Sequence, residues 1–265
     1  MLAKRVITGL ILGVAITVTL LFLPTPAAAA VFALLWLTGA WEWAGFASLE
    51  GSGRAGYAAL FAVCMVGAWL WLGAFLALAL LVAALVWWLF AFGAVLRFPR
   101  RFGSRFVAVA GFVVLLPSWL LLVWLHGDPR LGRQLAVTAM ALVWAADVGA
   151  YACGRWLGRV KLAPAVSPGK TWEGVTGGVL AAGLAAGVAA RVLGLPVASF
   201  VGLGIATALV SVLGDLTQSM FKRNVGLKDS GTLLPGHGGV LDRFDSLTAA
   251  IPVFVFGLYL LNVLG

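Results

Sequence analysis

Charged residues are scarce in this chain, making up 10% of its 265 residues, against about 25% in a typical soluble domain. Cysteine is scarcer still, because only Cys64 and Cys153 are present, far apart and outside any CxxC motif. This pattern excludes a disulfide framework and gives no indication of a zinc, haem or iron–sulfur site. We interpret both cysteines as small, buried apolar residues.

Apolar residues, by contrast, make up 63% of the sequence, where soluble domains have about 45–50%. A water-soluble fold of this length could not bury so much apolar surface, so the composition predicts an all-α polytopic membrane protein. A spanning helix needs about 20 mainly apolar residues. On that criterion about nine transmembrane helices are predicted: Val6–Leu23, Ala27–Ala47, Ala55–Gly73, Ala74–Leu96, Arg105–Leu125, Leu131–Ala152, Gly174–Leu195, Ser199–Phe221 and Ser246–Leu264.

The basic residues predict how these spans are oriented. With the N-terminus cytoplasmic and the C-terminus outside, all but three of the 18 lysines and arginines lie on the cytoplasmic side. The exceptions are Arg130, Arg133 and Arg191. Because the basic residues punctuate apolar spans, the net charge of +9 is interpreted as a topology signal, and no nucleic acid is expected as a partner.

The first span has an alternative interpretation as a cleaved signal peptide, since Lys4 and Arg5 precede an apolar run and an alanine-rich stretch. The run from Val6 to Leu23 is longer than the usual apolar region of about 7–15 residues, which favours a retained helix. Residues 1–265 are then predicted to form a single integral membrane domain. Within it, 1–130 is mostly apolar scaffold and 131–265 is the catalytic half.

Polar side chains recur along one face of the eighth predicted span. Ser211, Asp215 and Ser219 are spaced four residues apart, which places them on the same side of a helix. The serines alone could be hydrogen-bonding contacts between helices. A carboxylate within a span needs a cation or a water-filled cavity, so Asp215 is predicted to be functional.

The segment after the eighth span is much richer in charge than the rest of the chain. Its cations Lys222, Arg223 and Lys228 suit a polyphosphate. Asp242 and Asp245 are three residues apart and are expected to face the same way at the start of the ninth helix. Such carboxylates suit Mg²⁺, which usually binds one or two of them together with substrate phosphates. A solvated loop that anchors the topology would explain the cations but not the acids.

A second polar segment precedes the seventh span. Lys170 and Thr171 follow a glycine, as at the end of a phosphate-binding P-loop, but Pro164 stands where that loop needs its first glycine. The P-loop is therefore rejected, although Ser167, Lys170 and Thr171 at a helix N-terminus could still bind an anion. The sixth span carries a further polar stripe, which could be structural or catalytic: Asp147, Tyr151 and Arg155.

The stretch from Ser219 to Asp245 reads S-x-F-K-R-x4-K-D-x-G-x2-L-P-x-H-G-G-V-x-D-R-F-D. It resembles the signature of the phosphatidate cytidylyltransferases, also called CDP-diacylglycerol synthases. Gly214-Asp215-Leu216 and the segment from Ser167 to Gly174 are similar to that family as well. One departure is Gly169, which stands where many relatives have a second lysine.

The resemblance implies that CMP is transferred from CTP to phosphatidic acid, giving CDP-diacylglycerol and pyrophosphate for phospholipid biosynthesis. It implies a bacterial cytoplasmic membrane, an active site facing the cytoplasm, two divalent or mixed metal ions including Mg²⁺, and a homodimer among membrane lipids. The predicted catalytic residues are Asp215, Lys222, Arg223, Lys228, Asp229, His237, Asp242, Arg243 and Asp245. The predicted substrate-binding residues are Ser167, Lys170, Thr171, Glu173, Ser219, Gly238 and Gly239. The predicted metal ligands are Asp215, Asp242 and Asp245.

Three other functions compete with this one. A related CTP-dependent transferase could act on another lipid phosphate or on a polyprenol. A CDP-alcohol phosphotransferase would need further aspartates after its D-x-x-D, and no acid follows Asp245. A cation or proton transporter would place acids near the middle of the membrane, and only Asp147 and Asp215 could serve.

Overall fold

The computed structural model describes residues 2–233 and 238–264. Within them the chain forms nine α-helices, a two-stranded hairpin and one 3-10 turn. The helices are α1 Leu2–Phe22, α2 Thr25–Phe46, α3 Gly51–Leu70, α4 Ala74–Leu96, α5 Ser104–His126, α6 Gly132–Trp156, α7 Trp172–Leu193, α8 Val197–Asn224 and α9 Asp245–Leu260. The hairpin is β1 Lys161–Ala163 and β2 Ser167–Thr171, and the 3-10 turn is Leu241–Arg243.

The predicted all-α polytopic membrane fold is confirmed. Among the described helices, the seven from α2 to α8 are long and apolar enough to cross a bilayer. Two other helices have shorter apolar stretches. In α1 the apolar part is Ile11–Phe22, and α9 has 16 residues in all. At about 1.5 Å per residue α9 is roughly 24 Å long, somewhat less than the hydrocarbon thickness of about 30 Å.

The segment between α6 and α7 differs from the all-helical expectation. Strand β1 pairs with β2 in antiparallel register, with Lys161 opposite Thr171 and Ala163 opposite Ser167. These strands have three and five residues, and β2 contains proline and glycine, which are uncommon within strands. The sequence therefore carries little strand signal here. The hairpin keeps Ser167–Thr171 extended, so that α7 begins only at Trp172.

Helices α6 and α7 pack closely because glycines line their contact. A Cβ atom on Gly149 would lie 2.5 Å from the Gly177 carbonyl oxygen, and one on Gly178 would lie 2.7 Å from the Ala146 oxygen. Small residues allow membrane helices to approach in this way. Cys153 packs against Gly177. Both cysteines are free and half-buried, so they are less buried than the sequence predicted.

Helix α2 lies in the protein interior, between α5 and the segment that leads into α9. The indole of Trp36 donates to Ser118 Oγ on α5 at 2.8 Å and stacks on Phe244 at 4.6 Å between ring centroids. The Trp43 indole donates to the Val107 carbonyl at 2.8 Å. This packing brings the last turn of α2 against the segment from α8 to α9.

Candidate active site

The polar stripe of α8 is centred on Asp215, which is half-buried. Ser219 Oγ donates to Asp215 Oδ1 at 3.1 Å, one turn further along the helix. The other carboxylate oxygen pairs with Lys170 Nζ at 2.6 Å. Strand β2 thus supplies a cation for this carboxylate, and the two polar segments identified in the sequence meet here.

The hairpin that carries Lys170 is tied to the start of α7. Thr171 Oγ1 accepts a hydrogen bond from the Gly174 amide at 3.1 Å and so caps the helix. Both oxygens of Glu173 accept from the Val160 amide, at 3.1 and 3.3 Å. Both side chains position the hairpin through these contacts, and Thr171 also lines the cavity described below; their predicted role in substrate binding stays a prediction.

A second ion pair joins α8 to the 3-10 turn. Lys222 Nζ lies 2.7 Å from Asp242 Oδ1, and their side chains are only 9% and 10% exposed. The other oxygen, Asp242 Oδ2, accepts from the amides of Ser230 at 2.9 Å and Gly239 at 3.1 Å. Burial alone would raise the pKa of Asp242, but the hydrogen bond and charge of Lys222 and the two amides hold the pKa below its usual value. The ionised carboxylate therefore stabilises the fold of this segment.

Replacing Asp242 with asparagine is expected to destabilise the protein by about 3–5 kcal/mol at neutral pH, because Lys222 would be left buried without its partner. Since the folded pKa of Asp242 is lowered, the contribution is complete above the ordinary value of about 4. It is lost as the pH falls through the lowered pKa. Thermal unfolding in detergent between pH 3 and 7 should show the gap between wild type and Asp242→Asn closing at the acid end. A gap that is constant with pH would contradict this assignment.

Asp242 and Asp245 do not begin the same helix, so the prediction that they share a helical face is wrong. Asp242 lies in the 3-10 turn, and α9 starts only at Asp245. Phe244 between them leaves the helical conformation, with φ −132° and ψ 13°, and buries its ring against Trp36. Phe244 thus separates the 3-10 turn from α9.

Asp245 nevertheless approaches the same part of α8 as Asp215. A Cβ atom on Gly214 would lie 2.9 Å from the Asp245 carbonyl oxygen, so only glycine allows α8 and α9 to come this close. Asp245 interacts electrostatically with Asp215 and Lys222. The Ser246 amide donates to Asp245 Oδ1 at 2.8 Å, and no side-chain hydrogen bond shorter than 3.5 Å reaches this carboxylate from the described residues.

A cavity of about 300 Å³ lies between α6, α7, α8 and β2. Its charged lining is formed by Asp147, Lys170 and Asp215, and Tyr151 adds a hydroxyl that accepts from Arg155 Nη1 at 2.7 Å. The remaining walls are mainly small and apolar, with residues such as Val175 of α7. A cavity of this kind can take a charged group together with the start of an apolar chain.

Glu42 of α2 is the functional candidate that the sequence prediction missed. It is 4% exposed, and its carboxylate accepts from Ser230 Oγ at 2.6 Å and from the amides of Val240 at 2.9 Å and Leu241 at 2.8 Å. It thus binds both ends of the segment between α8 and α9, residues 225–244. A Cβ atom on Gly231 would lie 2.5 Å from Glu42 Oε1, which explains glycine at that position.

Comparison with known proteins agrees with this geometry. A family model described as "Cytidylyltransferase family" matches residues 3–261. The chain belongs to the cytidylyltransferase family. A phosphatidate cytidylyltransferase of Pseudomonas aeruginosa is 49% identical over 96% of both chains. One of Haemophilus influenzae is 40% identical over 97% of this chain and 98% of the relative, and one of Synechocystis is 45% identical over 54% and 50%.

The other predicted residues of this cytidylyltransferase occupy varied positions. Arg223 lies in the last turn of α8, where Nη1 donates to the Leu227 carbonyl at 3.0 Å and stabilises the helix end. Lys228 and Asp229 are exposed, and Arg243 interacts electrostatically with Asp147. Ser167 is the first residue of β2, and the Gly239 amide donates to Asp242. Gly238 has a positive φ of 81° and lies beside Asp229. His237 lies outside the described residues.

The predicted metal ligands separate into two kinds. Asp242 already accepts three hydrogen bonds, so its oxygens are largely committed to Lys222 and to the chain around it. Asp215 and Asp245 keep more free acceptor capacity and lie on facing helices. In residues 2–233 and 238–264 no three histidine, cysteine or acidic side chains come together as a metal site. The two aspartates therefore fit Mg²⁺ only if substrate oxygens complete its coordination.

Proposed function

We propose that this enzyme transfers CMP from CTP to phosphatidic acid, giving CDP-diacylglycerol and pyrophosphate, with Mg²⁺ as cofactor. The observation that carries the proposal is the Lys170–Asp215 ion pair at the wall of a partly apolar cavity within a membrane fold. Similarity to phosphatidate cytidylyltransferases along nearly the whole chain supports the same assignment. The proposed location is the bacterial cytoplasmic membrane, with the site facing the cytoplasm and a homodimer as the assembly.

The two ion pairs are suited to different tasks because their exposure differs. The side chains of Lys170 and Asp215 are 25% and 31% exposed, whereas those of Lys222 and Asp242 are 9% and 10% exposed. An incoming phosphate can therefore take the place of Asp215 as the partner of Lys170. The buried pair instead fixes the segment between α8 and α9, and Lys222 adds positive charge behind the site.

The reaction joins two polyanions, so it depends on positioning and charge neutralisation. A phosphate oxygen of the lipid attacks the α-phosphorus of CTP, forming a new P–O bond. The bond from the α-phosphorus to the oxygen that bridges it to the β-phosphorus breaks, and pyrophosphate leaves with that electron pair. No general base is required, since a phosphate monoester is already ionised near neutral pH. Lys170 would hold one of these phosphates.

Asp215 and Asp245 are the residues that would hold Mg²⁺. When bound, the metal would neutralise charge on the phosphate oxygens and lower the barrier to their approach. Asp242 would contribute indirectly, because it keeps Lys222 and the Ser230 and Gly239 amides in place. The apolar walls of the cavity, including Val175 and Val179, would accept the first part of an acyl chain.

The test is the formation of CDP-diacylglycerol from CTP and dioleoyl phosphatidic acid by the purified protein, with and without Mg²⁺. We expect Mg²⁺-dependent product, and a loss of about 100-fold or more for Asp215→Asn because a charge at the reaction centre is removed. Asp128→Asn is the matched control, since Asp128 only accepts the Arg130 and Leu131 amides in a turn, which asparagine also does.

Parallel reactions with a polyprenyl phosphate as acceptor distinguish the main competing function. Product from that acceptor alone would assign the enzyme to another lipid phosphate. No product from any acceptor with folded wild-type protein would overturn the proposal.

A further inference from the structure

Four arginines lie within nine residues between the end of α4 and the start of α5: Arg97, Arg100, Arg101 and Arg105. All four are exposed. Within the described ranges none of them forms an ion pair or a side-chain hydrogen bond. The sequence has no acidic residue between Glu50 and Asp128 that could serve as their counter-charge. Among the described residues no acid pairs with these four arginines, so they are available to an anion from outside the chain.

Three of these arginines line a groove of about 480 Å³. Its other lining comes from the last two turns of α4, from the loop before α5 and from the first turn of α5: Leu89, Phe90, Gly93, Ala94, Phe102, Gly103 and Phe106. Leu89 is 77% exposed and Phe90 is 47% exposed, as expected for side chains that face lipid. The groove is thus cationic at one end and apolar along the rest of its length. This arrangement matches the charged headgroup and the apolar chain of a phospholipid.

Ring contacts and hydrogen bonds hold the residues of the groove in place. Phe102 stacks on Phe106 at 5.0 Å between ring centroids, and Phe106 lies 5.8 Å from Phe90. The backbone of Phe102 is fixed to α8 by two hydrogen bonds of 2.9 Å, its amide donating to Asn224 Oδ1 and its carbonyl accepting from Asn224 Nδ2. Preorganised groups lose less entropy on binding, so these contacts favour a defined site over a loose basic patch.

An unsatisfied donor lies behind the aromatic side chains of the groove. The Trp87 ring lies 5.4 Å from Phe90 and 6.0 Å from Phe106. Its indole nitrogen is buried and has no acceptor among the described residues. Trp87 is not among the residues that line the groove, so this buried donor is not a contact for a lipid bound there.

We propose that this groove binds an anionic phospholipid, with its phosphate against Arg97, Arg100 and Arg101 and a chain along α4. The guanidinium group suits phosphate oxygens through paired hydrogen bonds. A zwitterionic lipid would bring its own cation towards the arginines and is expected to bind less tightly. The groove shares no lining residue with the cavity beside Asp215, so it is separate from the proposed active site.

The experiment measures lipid retention by native mass spectrometry of the detergent-solubilised protein. The probe is dioleoyl phosphatidylglycerol, which carries a single phosphodiester charge, and dioleoyl phosphatidylcholine is the zwitterionic comparison. We expect the Arg100→Gln/Arg101→Gln variant to lower the affinity for phosphatidylglycerol by about tenfold or more. Each basic residue near the headgroups contributes about 1 kcal/mol to the binding of an anionic lipid. The Arg130→Gln/Arg191→Gln variant removes two exposed arginines elsewhere and should leave that affinity unchanged.

A second variant tests the groove without altering its charge. A Cβ atom on Gly93 would meet no atom within 4 Å, so Gly93→Leu extends into open space and should reduce phosphatidylglycerol retention while the protein stays folded. Equal retention of phosphatidylglycerol by wild type, Arg100→Gln/Arg101→Gln and Gly93→Leu would overturn the proposal. Equal retention of the two lipids by the wild type would also overturn it.

Discussion

Replacing Asp245 with asparagine is expected to reduce CMP transfer by about 100- to 1,000-fold. The substitution keeps the shape of the side chain and removes its negative charge. Asp245 lies where α9 approaches α8 at Gly214 and interacts electrostatically with Asp215 and Lys222. Its oxygens are less engaged by the protein than those of Asp242, so it has the greater capacity to bind Mg²⁺ together with Asp215.

The measurement that separates this role from a structural one is the dependence of the rate on Mg²⁺ concentration. If Asp245 is a ligand, the half-saturating Mg²⁺ concentration should rise by about tenfold or more, while thermal stability changes little. Asp128→Asn should match the wild type in both respects. Activity of Asp245→Asn within threefold of wild type at saturating Mg²⁺ would remove Asp245 from the proposed metal site.

Replacing Glu42 is expected to have a comparable effect although it lies on the predicted scaffold helix α2. Glu42→Ala leaves three donors without an acceptor, namely Ser230 Oγ and the Val240 and Leu241 amides. A hydrogen bond to a charged group contributes about 1.5–3 kcal/mol, so residues 225–244 would lose several kcal/mol of anchoring. We expect kcat/KM to fall by about 100-fold, because Asp242 and Lys222 would lose their fixed positions.

Hydrogen exchange is the measurement that tests this cause. Residues 225–233 and 238–244 should lose protection in Glu42→Ala while α5 and α6 keep theirs. Gly231→Ala should behave similarly, since its Cβ would displace Glu42 Oε1. The control is Glu50→Gln, which changes an exposed acid beyond the end of the same helix. Unchanged protection of the segment in Glu42→Ala would show that another contact anchors it.

The features that the sequence predicted well are the local and periodic ones. Runs of apolar residues predicted the helices, because each run must be long enough to cross the bilayer. The four-residue spacing of Asp215 and Ser219 predicted that they share one face of a helix, and in the structure they are hydrogen-bonded. The cost of a carboxylate within a span predicted a cation or a water-filled cavity beside Asp215, and the structure places Lys170 and a cavity there.

The features that were missed depend on partners distant in sequence or on weak local signals. Glu42 is an acid within the second predicted span, the same signal that identified Asp215, but its partners lie 188 to 199 residues away. The break between Asp242 and Asp245 depends on the stacking of Phe244 on Trp36, which no spacing rule contains. The predicted catalytic, substrate-binding and metal-binding roles stay predictions, including those of Lys228, Asp229 and His237.

The separation in sequence between Glu42 and its partners sets how long Glu42 waits for them during synthesis. Ser230 follows Glu42 by 188 residues, so at about 5–20 residues per second roughly 10–40 s pass between their syntheses. During that interval the carboxylate has none of its three final donors. Glu42 lies four residues before the end of α2, only about 6 Å along the helix axis, where water at the membrane surface can solvate it. The position of Glu42 near the helix end thus allows α2 to enter the membrane before the rest of the active site exists.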